Sequence, residues 1–148
     1  MSVAVAEAST GGLIAAELTS LAGSSAYFRG GLVAYDDRSK TELLGAPLAV
    51  FVQHGSVSAE ACVAMAEAVR RLFQADVGLA ETAIAGPGGA TAGKPVGLSF
   101  VALSASSRSE VHENRWTGGR AANRTASTEA ALELLAAYLA EDPGSRLD

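Results

Sequence analysis

Short apolar runs alternate with helical patterns through the first half of the sequence, and turns rich in glycine separate them. Residues 3–6 predict a buried strand, Gly11 and Gly12 lie in the turn that ends it, and a helical pattern begins at Leu13. Further strands are expected at residues 31–35 and 77–85. Alternation of this kind places helices on the faces of a sheet, so the sequence predicts an α/β fold.

Three helical segments are expected between the second and the third strand. Asp36 and Asp37 precede a short segment through Leu44, and Pro47 opens another that closes near residue 55. Ser58 is the expected N-cap of a longer helix. The apolar residues at helical spacing on this longer helix are Cys62, Met65, Val69 and Leu72.

Two strands and a long helix are expected in the second half of the chain. Residues 96–103 and 111–116 form a predicted hairpin, which makes the sheet a mixed one. A helix follows over residues 119–141, and the Pro143-Gly144 pair is expected to end it. Its apolar stripe is predicted to contain Leu132, Leu135 and Leu139. Residues 1–148 are interpreted as a single domain, with residues 142–148 as a tail.

The composition limits the classes of protein to which this chain can belong. The chain has 31 alanines and 16 glycines among 148 residues, which favours closely packed α/β layers. Its net charge of −5 argues against a nucleic-acid partner. The lone Cys62 excludes a disulfide framework, and His54 and His112 lack partners at metal-ligand spacing, so no metal is expected. Without a signal peptide or an apolar run of about 20 residues, we expect a cytoplasmic protein with no membrane partner.

One glycine-rich loop fits part of a phosphate-binding motif but lacks its context. Residues 88–94 match the first seven positions of a Walker A loop. The eighth position is Pro95, which offers neither a hydroxyl for magnesium nor an N–H group, and a strand pattern follows where a helix is required. The sequence therefore argues against an NTPase.

Two other turns and one residue pair are candidates for a site. The turn at residues 9–12 joins a strand to a helix, where unpaired N–H groups gather, and the turn at residues 86–89 also follows a strand. An ordinary helix cap is the alternative interpretation of the first turn. Tyr35 and Lys40 follow the second strand, where a buried lysine can act as a general base, although a solvated lysine is the usual case.

Seven motifs occur in order over roughly residues 4–140. They are Ala6–Gly12, Gly23–Phe28, Val33–Lys40, His54–Ser58, Thr82–Gly89, Lys94–Gly97 and Gly118–Arg124. Together they resemble the AES-x-TGG, GSSAYF, V-x-Y-x4-K, HGAVS, TGIAGPGG, KPVG and GDR-x3-R motifs of the CinA C-terminal domain family, which includes the stand-alone nicotinamide-nucleotide amidases.

The resemblance implies a three-layer α/β/α fold and an activity. That activity is hydrolysis of the amide of nicotinamide mononucleotide to nicotinate mononucleotide and ammonia, without a metal or other cofactor. The resemblance also implies a serine nucleophile at the first strand–helix turn. It implies that Lys40 and Tyr35 transfer protons and that Ser25 and Thr82 shape the site. The N–H groups of the turn are expected to stabilise the oxyanion.

The chain departs from the family pattern at the nucleophile. The serine of AES-x-TGG falls on Ala8, and Ser9 occupies the variable position after it. Ala83 replaces the glycine of TGIAGP, and Gly119 replaces the aspartate of GDR. Three functions remain open: an amidase that uses Ser9, a non-hydrolytic nucleotide-binding or regulatory homologue, and a purely structural module.

The predicted site combines these turns. The catalytic candidates are Ser9, Tyr35, Lys40 and Thr82, and the candidates for binding a pyridine nucleotide are Ala8, Thr10, Gly11, Gly12, Ser25, Gly86, Gly88, Gly89 and Arg120. All except Ala8 and Arg120 are expected to line one cleft. The helix that precedes the first strand in the family is not found in the sequence, so a second subunit is expected to cover apolar surface in a homodimer.

Overall fold

A computed structural model describes residues 1–141, and five strands form its one sheet. The strands are β1 (Val3–Glu7), β2 (Phe28–Val33), β3 (Val77–Ala83), β4 (Leu98–Ser104) and β5 (Ser109–Arg115). They lie in the order β2-β1-β3-β4-β5. Strand β1 is parallel to β2 and β3, whereas β4 and β5 are antiparallel to their neighbours. The mixed sheet and the late hairpin are confirmed.

Four helices and two single turns connect the strands. The helices are α1 (Leu13–Thr19), α2 (Leu48–His54), α3 (Ala59–Leu72) and α4 (Arg120–Glu141). A 3₁₀ turn (Ser24–Ala26) precedes β2, and a π-helical turn (Ser39–Leu43) precedes α2. The predicted tail and the Pro143-Gly144 stop lie outside the described residues. No helix within residues 1–141 is both long and apolar enough to cross a membrane.

The helices cover both faces of the sheet, which gives three layers. Strand side chains alternate between the faces. Those packed with α2 and α3 are mostly small, namely Ala4, Ala6, Ala80 and Ala102, with the larger Leu98 and Phe100 in β4. Those packed with α1 and α4 are large: Val3, Val5, Val77, Leu79, Val101 and Leu103. The α/β/α architecture is therefore confirmed.

The abundance of small residues lets α3 lie directly on the sheet. Gly78 in β3 faces this helix, and a Cβ atom there would lie 2.1 Å from the carbonyl oxygen of Ala66. The N-terminus of α3 follows the prediction, since the Ser58 hydroxyl accepts a hydrogen bond from the Ala61 N–H at 3.1 Å. Close packing of α3 fixes the loop before it against the end of β3.

The structure moves the boundaries of several predicted elements. Strand β2 begins at Phe28, three residues before the predicted start, because Phe28 pairs with Val3. The apolar pattern that begins at Leu13 continues to Leu21 and so predicts a longer helix, but α1 ends at Thr19 and Leu21 is exposed. The apolar pattern alone did not reveal where backbone pairing stops.

The predicted apolar stripe of α4 packs on the core but is buried unevenly, and the predicted stripe of α3 is wrong at Leu72. On α4 the buried residues include Leu134, Leu135 and Tyr138, whereas Leu132 and Leu139 are only partly buried. On α3 Leu72, the last residue of the helix, is about half exposed. The uneven burial along α4 depends on how the helix is rotated on the sheet, which the neighbouring layer determines.

Candidate active site

A cavity of about 300 Å³ lies at the carboxyl ends of the parallel strands β1, β2 and β3. This edge is where ligands bind in open α/β sheets. Segments after these strands, the α2–α3 loop and the start of α4 line it. The lining residues are Ala8, Ser9, Tyr35, Asp37, Lys40, Ser56, Val57, Thr82, Ala83, Ala85 and Arg120.

Lys40 lies on the wall of this cavity and is almost fully buried, with 3% of its surface exposed. The π-helical turn presents it, and its Nζ donates a hydrogen bond to the Ser56 hydroxyl. Burial lowers the pKa of Lys40, and the carboxylates of Asp37 and Glu81 act in the opposite direction. An amine that is easily deprotonated next to a hydroxyl has the arrangement of a general base.

Hydrogen bonds hold Ser56 in place. Its carbonyl accepts a hydrogen bond from the Thr82 hydroxyl at 2.9 Å, which ties the α2–α3 loop to the end of β3. Two residues later, Ser58 caps α3 and also donates to the Gly55 carbonyl at 2.9 Å. On the other side, Lys94 Nζ donates to the His54 carbonyl at 2.6 Å. The loop is thus fixed on both sides of Ser56.

Glu81 is a buried carboxyl that organises the turn after β1. One of its oxygens accepts the Ser9 hydroxyl. The other accepts the N–H groups of Ala8 at 3.1 Å and Thr10 at 3.0 Å, and the Thr10 hydroxyl at 2.9 Å. Burial raises the pKa of Glu81, and these hydrogen bonds act in the opposite direction. The Ser9 hydroxyl is therefore engaged by Glu81, although Ser9 lines the cavity.

Glu7 occupies the N-terminus of α1. Its carboxylate accepts the N–H groups of Ile14 at 2.8 Å and Ala15 at 3.1 Å, and its Oε1, 2.7 Å from the Thr10 hydroxyl, shares the single proton of that hydroxyl with Glu81. Together with Glu81, it binds four N–H groups of the turn and the helix start. Because carboxylates already satisfy these four groups, they are not available to an oxyanion, and the expected stabilisation by the N–H groups of the glycine turn stays a prediction for Gly11 and Gly12.

The mouth of the cavity carries a cation from the start of α4. Arg120 donates to the Gly86 carbonyl at 2.9 Å and to the Tyr35 hydroxyl at 3.1 Å. Tyr35 is 60% exposed, so its ring stands at the entrance. One turn further along α4, Arg124 donates to the carbonyls of Ser9 at 2.9 Å and Thr10 at 3.2 Å. Helix α4 therefore holds both glycine-rich turns.

The structure brings six of the predicted site residues together at this cavity and leaves others outside it. The six are Ala8, Ser9, Tyr35, Lys40, Thr82 and Arg120. Thr10, Gly11, Gly12, Gly86, Gly88 and Gly89 belong to the adjoining turns and do not line it. Ser25 is farther away, since it precedes the start of β2 at the opposite end of the sheet. The expectation of one shared cleft is corrected for these seven residues.

The loop that partly matches a Walker A motif has another structure. Thr91 and Lys94 pair as a short β-bridge, strand β4 follows instead of a helix, and Lys94 Nζ is bound to the His54 carbonyl. The loop therefore lacks the helix that a phosphate loop needs after its glycine-rich turn.

Sequence reasoning missed Ser56 and Glu81. Ser56 stands where the HGAVS motif has alanine, and this substitution was the signal that could have found it. Glu81 lies inside an apolar strand pattern, where a carboxyl is rare without partners, and its hydrogen bonds come from a turn more than 70 residues away. Only the pairing of β1 with β3 brings them together.

A family model described as the CinA C-terminal domain matches residues 1–139. The chain belongs to this family. It is 46% identical over 143 residues to a CinA-like protein of Syntrophus aciditrophicus, covering 95% of this chain and 34% of that protein. A CinA-like protein of Geobacter sulfurreducens is 44% identical over 135 residues, covering 91% of this chain and 33% of its own length. The chain thus spans about a third of these CinA relatives.

Solved structures of CinA proteins have the same fold. The competence/damage inducible protein CihA from Agrobacterium tumefaciens is 40% identical, with a TM-score of 0.89, and covers 93% of this chain and 84% of its own. A CinA superfamily protein from Klebsiella pneumoniae 700603 is 28% identical, with a TM-score of 0.91. The match covers 95% of this chain and 88% of that protein's chain. These likenesses agree with the three-layer architecture.

Proposed function

We propose that this CinA domain hydrolyses the amide of nicotinamide mononucleotide to nicotinate mononucleotide and ammonia. The observation that carries the proposal is Lys40, a buried amine in hydrogen-bond contact with a serine hydroxyl on the wall of a cavity. Amide hydrolysis through a hydroxyl nucleophile needs such a base, because a neutral hydroxyl attacks a carbonyl poorly. The family resemblance supplies the substrate class.

The mouth of the cavity suits the phosphate end of a mononucleotide. Arg120 brings a guanidinium group to the entrance, and the Tyr35 hydroxyl is bound to it. Guanidinium groups bind phosphate in a two-pronged geometry, and an aromatic ring at the entrance offers a surface for a ribose or a pyridine ring. A volume of about 300 Å³ is at the small end for ligand sites, which favours a mononucleotide over a dinucleotide.

A second candidate function is nucleotide binding without hydrolysis. Ala8 has no nucleophilic atom at the family's serine position, and the neighbouring Ser9 hydroxyl is bound to Glu81. A chain with these two features and an intact mouth can bind the nucleotide as a regulatory domain. This alternative predicts thermal stabilisation by nicotinamide mononucleotide with no release of ammonia.

The test is ammonia release from nicotinamide mononucleotide by the wild type, Lys40→Met and Arg120→Gln. We expect Lys40→Met to lose at least about 100-fold in kcat, the scale of one general-base step. Arg120→Gln should mainly raise KM, because phosphate binding is shared by the ground and transition states. Arg38→Gln is the matched control, since Arg38 pairs with Glu42 on the surface away from the cavity.

Two results would contradict the amidase proposal. One is wild-type protein that releases no ammonia yet is stabilised by the nucleotide in a thermal melt, which would favour the binding function. The other is full activity in Lys40→Met, verified as folded by circular dichroism, because the buried amine would then have no part in the reaction.

A further inference from the structure

Hydroxyl groups of four residues border the cavity, and their hydrogen bonds differ. The Ser9 hydroxyl donates to Glu81, and the Thr82 hydroxyl donates to the Ser56 carbonyl. The Tyr35 hydroxyl is bound to Arg120 at the entrance. Ser56 is the one among these four whose hydroxyl contacts the buried amine.

We propose that Ser56 is the nucleophile of this domain and that Lys40 is its general base, an assignment that rests on the proposed amide hydrolysis. The geometry supports it in three ways: both side chains line the same cavity, they are in direct hydrogen-bond contact, and the loop that carries Ser56 is fixed by Thr82. A nucleophile and base already in contact need no rearrangement before attack.

The charges around Lys40 are compatible with this role. Asp37 and Asp36 approach it from the segment after β2, Glu81 from β3 and Cys62 from α3. Asp37 is the nearest carboxylate, with its oxygen 3.9 Å from Nζ, and its side chain is 61% exposed, so solvent weakens its pull. Burial outweighs these charges and lowers the pKa of Lys40, which increases the neutral fraction that can accept a proton.

The proposed reaction proceeds through an ester of Ser56. Its Oγ bonds to the amide carbon as its proton passes to neutral Lys40, and the carbonyl π pair moves to the oxygen. When the carbonyl re-forms, the carbon–nitrogen bond breaks, and Lys40 gives that proton to the departing nitrogen, which leaves as ammonia. A water molecule then attacks the ester, Lys40 takes its proton, and the carbon–Oγ bond breaks. Lys40 returns the proton to Oγ, and the carboxylic acid is released.

The sequence contains a matching exchange of residues. The AES-x-TGG motif has serine where this chain has Ala8, and the HGAVS motif has alanine where this chain has Ser56. Both positions line the same cavity as Lys40. The hydroxyl absent from one wall of the cavity is thus present on another, next to the amine, and Thr82 acts as a positioning residue for it.

The test uses a small fluorophosphonate, which labels activated serines without needing the natural substrate, together with the ammonia assay. The proteins are the wild type and Ser56→Ala, Ser9→Ala and Lys40→Met, with exposed Ser109→Ala on β5 as the matched control. We expect the peptide that contains Ser56 to be labelled in the wild type, Ser9→Ala and Ser109→Ala. Labelling should disappear in Ser56→Ala and fall at least about 100-fold in rate in Lys40→Met. Thermal melts verify folding of each variant.

The two readouts separate this proposal from the amidase function. If Ser56 is labelled but no ammonia is released, the result would support Ser56 as the nucleophile and overturn nicotinamide mononucleotide as the substrate. Ammonia release that survives in Ser56→Ala but is lost in Ser9→Ala would overturn Ser56 as nucleophile and leave the amidase function standing. No labelling of Ser56 in folded wild-type protein would also overturn the assignment. Ser56→Cys is a second variant that keeps a nucleophile at this position. Its cysteine should react with iodoacetamide faster than the same cysteine in the double variant Ser56→Cys with Lys40→Met.

Discussion

At the scale of single residues, the behaviour of Lys40 is decided by two opposing effects. Removal from water disfavours its charged form, while nearby carboxylates favour it. Burial is the larger effect, so the pKa of Lys40 is lowered. Because Asp37 is the strongest opposing charge, its removal is the most direct way to shift this balance.

We therefore predict that Asp37→Asn lowers the pKa of Lys40 further. The neutral amine is the active form, so the rise of kcat with pH should move to lower pH in the variant. The measurement is kcat for ammonia release across a pH series, with Glu42→Gln as a control, because Glu42 pairs with Arg38 on the surface. An unchanged profile would mean that Lys40 does not set the pH dependence.

The exchange of hydroxyl positions gives a second prediction. Ser56→Ala should lower kcat/KM at least about 100-fold. Adding Ala8→Ser to that variant should restore part of the loss, because Ala8 borders the same cavity and the new hydroxyl can use Lys40. The matched control is Ala83→Ser with Ser56→Ala, which adds a hydroxyl elsewhere in the lining. Equal activity of the two double variants would contradict the exchange.

The sequence predicted part of this site and not the rest, for a physical reason. Tyr35 and Lys40 could be predicted because they follow a strand that ends at this edge of the parallel sheet, whereas Thr82, near the end of β3, was implied by the family resemblance. The contact of Lys40 with Ser56 depends on how the α2–α3 loop folds back over β3, which no local pattern records. The sequence pattern also gave no indication that Ser9 would be bound by Glu81.

At the scale of elements, β3 supports the turn after β1 through one carboxyl. Glu81 accepts the Ser9 hydroxyl and two N–H groups of the turn, and burial raises its pKa. The folded state thus holds a proton on Glu81 more tightly than the unfolded chain does. Its contribution to stability is complete below the unfolded value of about 4.3 and is lost as pH rises through the raised folded pKa.

Replacement of Glu81 by glutamine removes this proton linkage and keeps the shape. We predict that the free energy of unfolding of the wild type falls relative to that of Glu81→Gln as pH rises above about 4.3. The pKa values of Asp36 and Asp76 are lowered, so their effects lie in a more acidic range and are common to both proteins. Urea unfolding at a series of pH values is the measurement. A difference independent of pH would show that Glu81 is not protonated on folding.

Most elements could be predicted because their signals are local. The Ser58 cap, the strand alternation and the hairpin each depend on residues a few positions apart. The start of β2 and the buried stripe of α4 depend on partners far along the chain, namely β1 and the large-residue face of the sheet. This is why their boundaries and rotation differ from the predictions.

In the molecule as a whole, each face of the sheet positions a different part of the site. The face with small side chains lets α3 approach closely, and this fixes the loop that presents Ser56 over the end of β3. The face with large side chains anchors α4, whose first turns hold the glycine-rich turns through Arg120 and Arg124. The site is therefore assembled from both layers of helices.

Helix α2 carries an exposed apolar surface that we expect to join two copies of the chain. Leu48 and Val52 are 62% and 78% exposed and lie one turn apart on α2, so they form an apolar stripe open to water. Burying each side chain at an interface is worth about 1.5–3 kcal/mol. We expect a homodimer that uses this stripe, with a light-scattering mass about twice 14.9 kDa at micromolar concentration.

Leu48→Gln with Val52→Gln should give a monomer, because glutamine keeps the helix and removes the apolar surface. Leu21→Gln, at an equally exposed site outside α2, should leave the dimer intact. A wild-type mass near one chain, or a double variant that stays dimeric, would contradict this interface.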